Sequence, residues 1–282
     1  RAIAAPERTD EERKSDIVPR ASSPVWKDNF CYSNLPSGSF PSDIWRRIVS
    51  DILYPKNDVK LSSYGDNRGE LGLRKEIAKF LNRARGILCS PNQIVLTSGT
   101  QESMEDPGYD GVRVVVENRG FALDPIRTDH GMNTYLSDVK NSNAKLLYAT
   151  PSHQMPLGWN MDAATRTKLL KLVAAKNIYL IEDDYDCEYR FDHPPLPALS
   201  SLDHWERVIY LGTFSKILTP ALRMSYIVLP PKLMNRFNSV FSSYYCTVPW
   251  LEQEAVRRFM GEGYWQHHVD CQMKSVRERH AL

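Results

Sequence analysis

Three short stretches carry side chains that together could handle a carbonyl cofactor. In Gly212-Thr-Phe-Ser-Lys216, a lysine follows the apolar run Val208-Ile-Tyr-Leu-Gly212, which reads as a buried strand. A lysine just past such a strand sits at the carboxyl edge of a sheet, where α/β proteins place their ligands. Its amine can form a Schiff base with a cofactor aldehyde. Thr213 and Ser215 add hydroxyls, and Arg223 adds a planar fork suited to a phosphate. Alone, a lysine is most often a solvated surface charge.

The second stretch, Ile181-Glu-Asp-Asp-Tyr-Asp-Cys-Glu-Tyr189, ends another apolar strand in a burst of carboxylates. Carboxylates packed this closely repel one another, so a cation is expected at one of them. Asp183 suits a protonated pyridine nitrogen, and Tyr185 can reach the phenolic oxygen of the same ring. The third stretch is Thr97-Ser-Gly-Thr-Gln101. Glycine lets the backbone turn close to a ligand, and a helix N-terminus after it would bind a phosphate. Each stretch by itself also fits a hydrated loop.

The elements that must position these residues follow from apolar periodicity. Ile44, Trp45, Ile48 and Ile52 repeat at helical spacing behind Ser42, a suitable N-cap. A second helix is predicted from Gly69 to Arg85, burying Leu73, Ile77 and Phe80 and stopping at Gly86. Predicted strands run over Gln93–Thr97, Leu146–Thr150, Ile178–Glu182, Val208–Gly212 and Tyr226–Leu229, with a helix over Ala163–Lys176. Short buried strands alternating with helices argue for an α/β fold with a mainly parallel central sheet and helices on both faces. One junction breaks that logic. Glu105 follows Thr97 too closely for a parallel crossover, which takes about a dozen residues, so a chain break is expected between about Gln101 and Glu105.

Composition narrows the class. Of 282 residues, 42% are hydrophobic and 25% charged, ordinary for a soluble globular protein. Lys and Arg exceed Asp and Glu by 36 to 34, which leaves no footprint for nucleic acid on this chain. No apolar run approaches the ~18 residues of a membrane span, so no membrane partner is expected. The cysteines, 5 in number, lack zinc-site or disulfide spacing, so no metal is expected and the thiols suit a reducing cytoplasm. Residues 1–25 are charged and hold two prolines within Arg1–Arg20, as an interdomain linker would.

Taken together, the motifs resemble the effector domain of MocR-type regulators, GntR-superfamily proteins that carry a fold-type I aminotransferase domain. The resemblance runs from about Asn29 to Leu282. It rests on Glu105-Asp-Pro-Gly-Tyr109, Thr150-Pro-Ser-His-Gln-Met-Pro-Leu-Gly158, Ile181 to Phe191, Leu196-Pro-Ala-Leu199 and Tyr210 to Lys216. It implies pyridoxal 5'-phosphate as cofactor, held by Lys216 as an internal aldimine, with Asp183 on the pyridinium nitrogen and Tyr185 on the ring hydroxyl. Gly99, Thr100, Gln101, Thr213, Ser215 and Arg223 would surround the phosphate. Tyr109 would stack on the ring, and His153 would flank the ring or an effector. Tyr64 would reach the phosphate of a neighbouring subunit, making a homodimer part of the site.

The same resemblance divides the chain into residues 26–56 as an N-terminal segment, 57–245 as the large cofactor domain and 246–282 as a helix leading into a small domain largely absent here. It implies a winged-helix DNA-binding domain before the linker, and an arginine for a substrate carboxylate beyond Leu282. One departure bears on activity. Enzymes of this fold have Asn-Pro-x-Gly where this chain has Met155-Pro-Leu-Gly158, so the amide that would bond the ring hydroxyl is missing. The expectation is therefore a sensing domain: an amino-bearing effector exchanges with the Lys216 aldimine and alters DNA binding, with at most vestigial transaminase chemistry. The alternatives are a free-standing aminotransferase acting on an amino acid, a sensor of the cofactor itself, or a structural domain that binds nothing.

Overall fold

The computed structural model describes residues 35–36, 38–54, 58–98, 105–106, 108–189 and 196–280. Helix α1 (Ser42–Ile52) starts one residue earlier than a cap at Ser42 predicts: Pro41 holds the N-cap position, and the Ser42 hydroxyl turns to the Phe40 carbonyl at 3.4 Å. Helix α2 (Leu71–Arg85) ends as expected, because Gly86 takes the left-handed conformation (φ 70, ψ 12) that a side chain disfavours. Leu73 and Ile77 are buried, and Phe80 is partly so.

The central sheet has the order β1-β7-β6-β5-β4, with β1 at Ile94–Thr97, β4 at Leu146–Ala149, β5 at Tyr179–Asp183, β6 at Val208–Thr213 and β7 at Ser225–Val228. Strands β4, β5 and β6 pair in parallel, while β7 runs against both of its neighbours, β1 and β6. A second, two-stranded parallel sheet joins β2 (Glu105–Asp106) to β3 (Ile126–Arg127). Helix α3 (Asp110–Asn118) is the crossover between them. Because β2 pairs with β3 and not with β1, no crossover inside one sheet is needed between Thr97 and Glu105. The break expected near Met104 falls outside the described residues, as does the linker.

Strand alternation sends side chains to the two faces. On one face, Leu96, Tyr210 and Tyr226 meet α1, α2 and α7 (Trp250–Gly261) through Ile48, Ile77 and Phe259. Farther along that face, Leu147, Leu180 and Val208 meet α4 (Met132–Asn141) and α5 (Ala163–Ala175). On the opposite face Tyr148, Ile181 and Leu211 pack on Val112 and Val116 of α3. Helix α6 (Pro231–Phe241) follows β7, and α8 (Tyr264–His280) closes the described chain.

One glycine is fixed by close approach. Gly212 pairs across the ladder with Tyr226, whose ring lies where a Cβ on residue 212 would stand. Gly212→Ala is expected to cost about 1–3 kcal/mol through overpacking, read as a lower urea midpoint with unchanged m.

Candidate functional site

Parallel pairing of β5 with β6, in which Asp183 stands opposite Leu211, brings Asp183 and the Thr213–Lys216 turn to one edge of the sheet. Lys216 Nζ lies 5.9 Å from the centroid of the Tyr185 ring. The backbone of its turn is held from two sides. The Tyr189 hydroxyl donates to the Lys216 carbonyl at 3.0 Å, and His268 Nε2 of α8 donates to the Ile217 carbonyl at 2.7 Å. Burial keeps the His268 imidazole below its usual pKa, so the neutral ring carries its proton on the nitrogen that faces the carbonyl.

Asp183 accepts a hydrogen bond from the Tyr148 hydroxyl of β4. Burial pushes its carboxyl up to about 6, with Asp184 and Asp186 adding to the rise and Tyr148 and Lys216 opposing it. A carboxylate set among carboxylates favours a cationic partner.

Beside it, the Tyr185 hydroxyl donates to the His153 carbonyl at 3.0 Å, and the two rings stack with centroids 6.1 Å apart at 20°. His153 Nδ1 meets Asp186 Oδ2 at 2.5 Å, and that contact raises the imidazole pKa. The loop carrying His153 is pinned by Gln154, whose amide donates to the Met155 carbonyl at 2.7 Å and accepts from Leu157 N at 3.0 Å. The Met155 side chain brings no amide to this edge.

A strip of hydroxyls crosses the edge where β1 and β6 end and β7 begins. Thr97 stands opposite Ser225, and Ser225 opposite Thr213. Thr213 Oγ1 accepts from Ser225 Oγ and from Ser215 N, both at 3.1 Å. Thr97 Oγ1 is buried with no hydrogen-bond partner among the described residues. Arg223 follows a one-turn 3-10 helix (Pro220–Leu222) in the left-handed conformation, φ 48 and ψ 40, with its side chain exposed. A non-glycine residue in that region costs on the order of 1 kcal/mol, so the surrounding turn over-determines its position.

Not every expected residue gathers here. Tyr109 caps α3 and folds its ring over Gly111, where a Cβ would lie 2.7 Å away. Tyr64 stacks on Tyr245 at 4.2 Å and 20°, and is 80% exposed. Among the described residues, no hydrogen bond or ring contact joins either to Asp183 or Lys216. Gly99, Thr100 and Gln101 lie outside the described residues.

Beneath the edge lies a buried charge lattice that the sequence reading did not single out. Arg85 Nε meets Asp184 Oδ2 at 2.6 Å, and Arg85 Nη2 donates to Ser152 Oγ at 2.9 Å. Tyr210 donates to Asp184 at 2.8 Å. Arg166 donates to the carbonyls of Met161, Pro151 and Pro197 at 2.8, 2.8 and 3.0 Å. Glu182 accepts from Leu199 N and Ser200 N at 2.7 and 2.8 Å. This lattice ties the end of α2 and the loop around His153 to the end of β5. Tyr148, Ser225, Tyr189 and His268 were likewise missed. Only strand alternation hinted at any of them, since it places Tyr148 and Asp183 on one face once the register, Tyr148 opposite Ile181, is known.

Comparison with known proteins adds to this geometry. The family described as aminotransferase class I and II matches residues 103–262. The chain is 35% identical to the HTH-type transcriptional regulator YdeL of Bacillus subtilis, over 91% of this chain and 58% of that protein. It is 34% identical to the probable rhizopine catabolism regulatory protein MocR of Rhizobium meliloti, over 86% of this chain and 52% of that protein. The chain thus spans between half and three fifths of the length of these relatives. Among solved structures, the kynurenine aminotransferase of Pyrococcus horikoshii superposes with a TM-score of 0.74 at 27% identity, over 86% of this chain and 65% of that one.

Proposed function

We propose that this chain, which belongs to the aminotransferase class I and II family, is the pyridoxal phosphate-binding, effector-sensing domain of a transcription regulator. The observation that carries the reading is the meeting of Lys216 and Asp183 at one sheet edge, in a chain similar to regulators over most of its length. The residues present fit the cofactor. Asp183 is a carboxylate with carboxylate neighbours, to which a ring nitrogen would bring the missing positive charge. Thr97, whose hydroxyl has no partner among the described residues, belongs to a strip whose chemistry suits a phosphate.

When bound, the cofactor supplies an electrophilic aldehyde carbon and an electron-withdrawing ring. Lys216 Nζ would hold that carbon, and Asp183 would hold the proton on the ring nitrogen. Tyr185 would turn its hydroxyl from the His153 carbonyl to the ring oxygen. Thr213, Ser215 and Arg223, with Gly99, Thr100 and Gln101, would surround the phosphate, Tyr109 would cover the ring and His153 would flank it. An amine-bearing effector would displace Lys216 Nζ from this edge, and the change would bias a DNA-binding domain elsewhere in the protein. Such a regulator works in the cytoplasm, in keeping with the free thiols of Cys89, Cys187, Cys246 and Cys271.

A homodimer belongs to the same reading. Tyr64, Tyr244 and Tyr245 are 80%, 63% and 59% exposed, and clustered exposed aromatic rings mark an interface. A second copy seated there would bring Tyr64 towards the neighbouring site.

The test is a titration with pyridoxal phosphate, with visible spectra recorded beside Lys216→Ala. Wild type is expected to show an absorbance band that the variant lacks, shifted by those amines that are effectors. Identical free-cofactor spectra would overturn the reading. Multiple turnover with a keto acid would favour an aminotransferase, the second reading that the likeness to solved aminotransferases supports.

A further inference from the structure

Asp183 has to be both charged and correctly aimed to serve a ring nitrogen, and its immediate surroundings work against the charge. It stands at the end of β5, next to Asp184 and near Asp186. Asp184 is answered by Arg85 and Tyr210, and Asp186 by His153. Both carboxylates are thus already partnered, and among the described residues Lys216 is a cation whose field reaches Asp183. One neutral donor does so by direct contact. Tyr148 is 2% exposed, sits on β4 opposite Ile181, and gives its hydroxyl hydrogen to Asp183 Oδ2. The hydroxyl is held by a ring packed in the cluster with Val112, Val116, Ile181 and Leu211, so it approaches Asp183 from a fixed direction.

We propose that Tyr148 is a positioning residue for the cofactor site: its hydroxyl fixes the orientation of the Asp183 carboxylate and holds it in the ionised form, leaving Oδ1 for a ring nitrogen. The inference deepens the cofactor reading and rests on it for the ligand, whereas the Tyr148–Asp183 pair stands on geometry alone. A hydrogen bond to an ionised acceptor is the stronger kind, and losing it disfavours the charged form. Burial already raises Asp183 to about 6. Without Tyr148 the carboxyl would keep its proton to higher pH, where a neutral acid no longer answers a cationic ring.

The experiment compares wild type with Tyr148→Phe, which keeps the packed ring. Asp183 is titrated by carboxyl-carbon NMR on aspartate-labelled protein without added cofactor, its resonance identified by loss in Asp183→Asn. The expected result is a midpoint moved up by about one pH unit or more. Pyridoxal phosphate affinity is then measured from pH 5.5 to 8.5, and Tyr148→Phe is expected to bind roughly eightfold more weakly at pH 5.5 and about twofold near neutrality, the deficit closing at high pH. A merely structural role would lower affinity equally at every pH and leave the midpoint in place, and either result overturns the proposal. If wild type itself fails to bind the cofactor, the cofactor reading falls, and the NMR midpoint alone still decides whether Tyr148 controls Asp183. Should Tyr148→Phe unfold, Tyr148→His, which restores a donor, is expected to bring back the wild-type midpoint, and a midpoint left high in that variant would count against the proposal.

Discussion

Arg85→Met is expected to cost about 3–5 kcal/mol of stability, seen as a fall in Tm on the order of 10 °C. Arg85 and Asp184 are 4% and 2% exposed, with Nε and Oδ2 2.6 Å apart. Methionine fills much of the same space but carries no charge, so Asp184 is left buried with the Tyr210 hydroxyl as its donor. Ser152 and the Leu196 carbonyl also lose a partner. The cost comes from the stranded carboxylate and not from the value of the pair as such, which gives a sharp control. Arg85→Met combined with Asp184→Leu is expected to recover most of the loss, because neither charge of that pair is left buried alone. Denaturant unfolding of the two single variants and the double variant checks this. A double variant as unstable as the sum of the singles would place the cost elsewhere, in packing.

Stability is also expected to fall as pH rises, and Glu188→Gln to remove much of that fall. Burial pushes the Glu188 carboxyl up to about 8, and its Oε2 has no hydrogen-bond partner among the described residues. The unfolded chain gives up this proton above pH ~4.3, whereas the folded one keeps it to about 8. Across that window the folded state binds more protons, so stability is full below the unfolded pKa and is lost as pH climbs through the folded one. At ~1.4 kcal/mol per unit, the loss across the whole window is on the order of 5 kcal/mol. Glutamine keeps the shape and cannot ionise. Asp183, raised to about 6, and Glu182, raised by burial and by Asp184, act in the same direction and leave a residual slope. Urea unfolding at pH 5, 7 and 9 reads the difference, and parallel slopes for the two proteins would remove Glu188 as the source.

Much of the frame can be read from residues near one another in the chain. Leu73, Ile77 and Leu81 repeat at helical spacing and Gly86 ends them, so α2 is recoverable locally. The meeting of Asp183 with Lys216 follows from two apolar strands that each end in a polar burst. What stayed hidden depends on partners far away in the chain. Nothing local says that β7 opposes its neighbours, or that β2 leaves the main sheet for β3. Arg74 and Arg166 are 1% and 0% exposed, yet a helical arginine reads as a surface charge unless its acceptors are known. Those acceptors are carbonyls and carboxylates supplied by other loops. Ser42 lost the cap to Pro41 for a smaller reason: its hydroxyl had a nearer carbonyl to serve.

The two carbonyls gripped by Tyr189 and His268 make the turn beneath Lys216 a fixed post for its side-chain arm. A lysine tail that is tied down and then let go regains rotational freedom worth about 2 kcal/mol. Because the post does not move, that gain would accrue to the arm alone, with no backbone distortion to offset it. An amine that takes over the tail's attachment would therefore be helped by disorder created at the far end of the same side chain. A ligand that merely docks beside the tail would receive no such help, so the anchorage itself would discriminate exchange from simple occupancy.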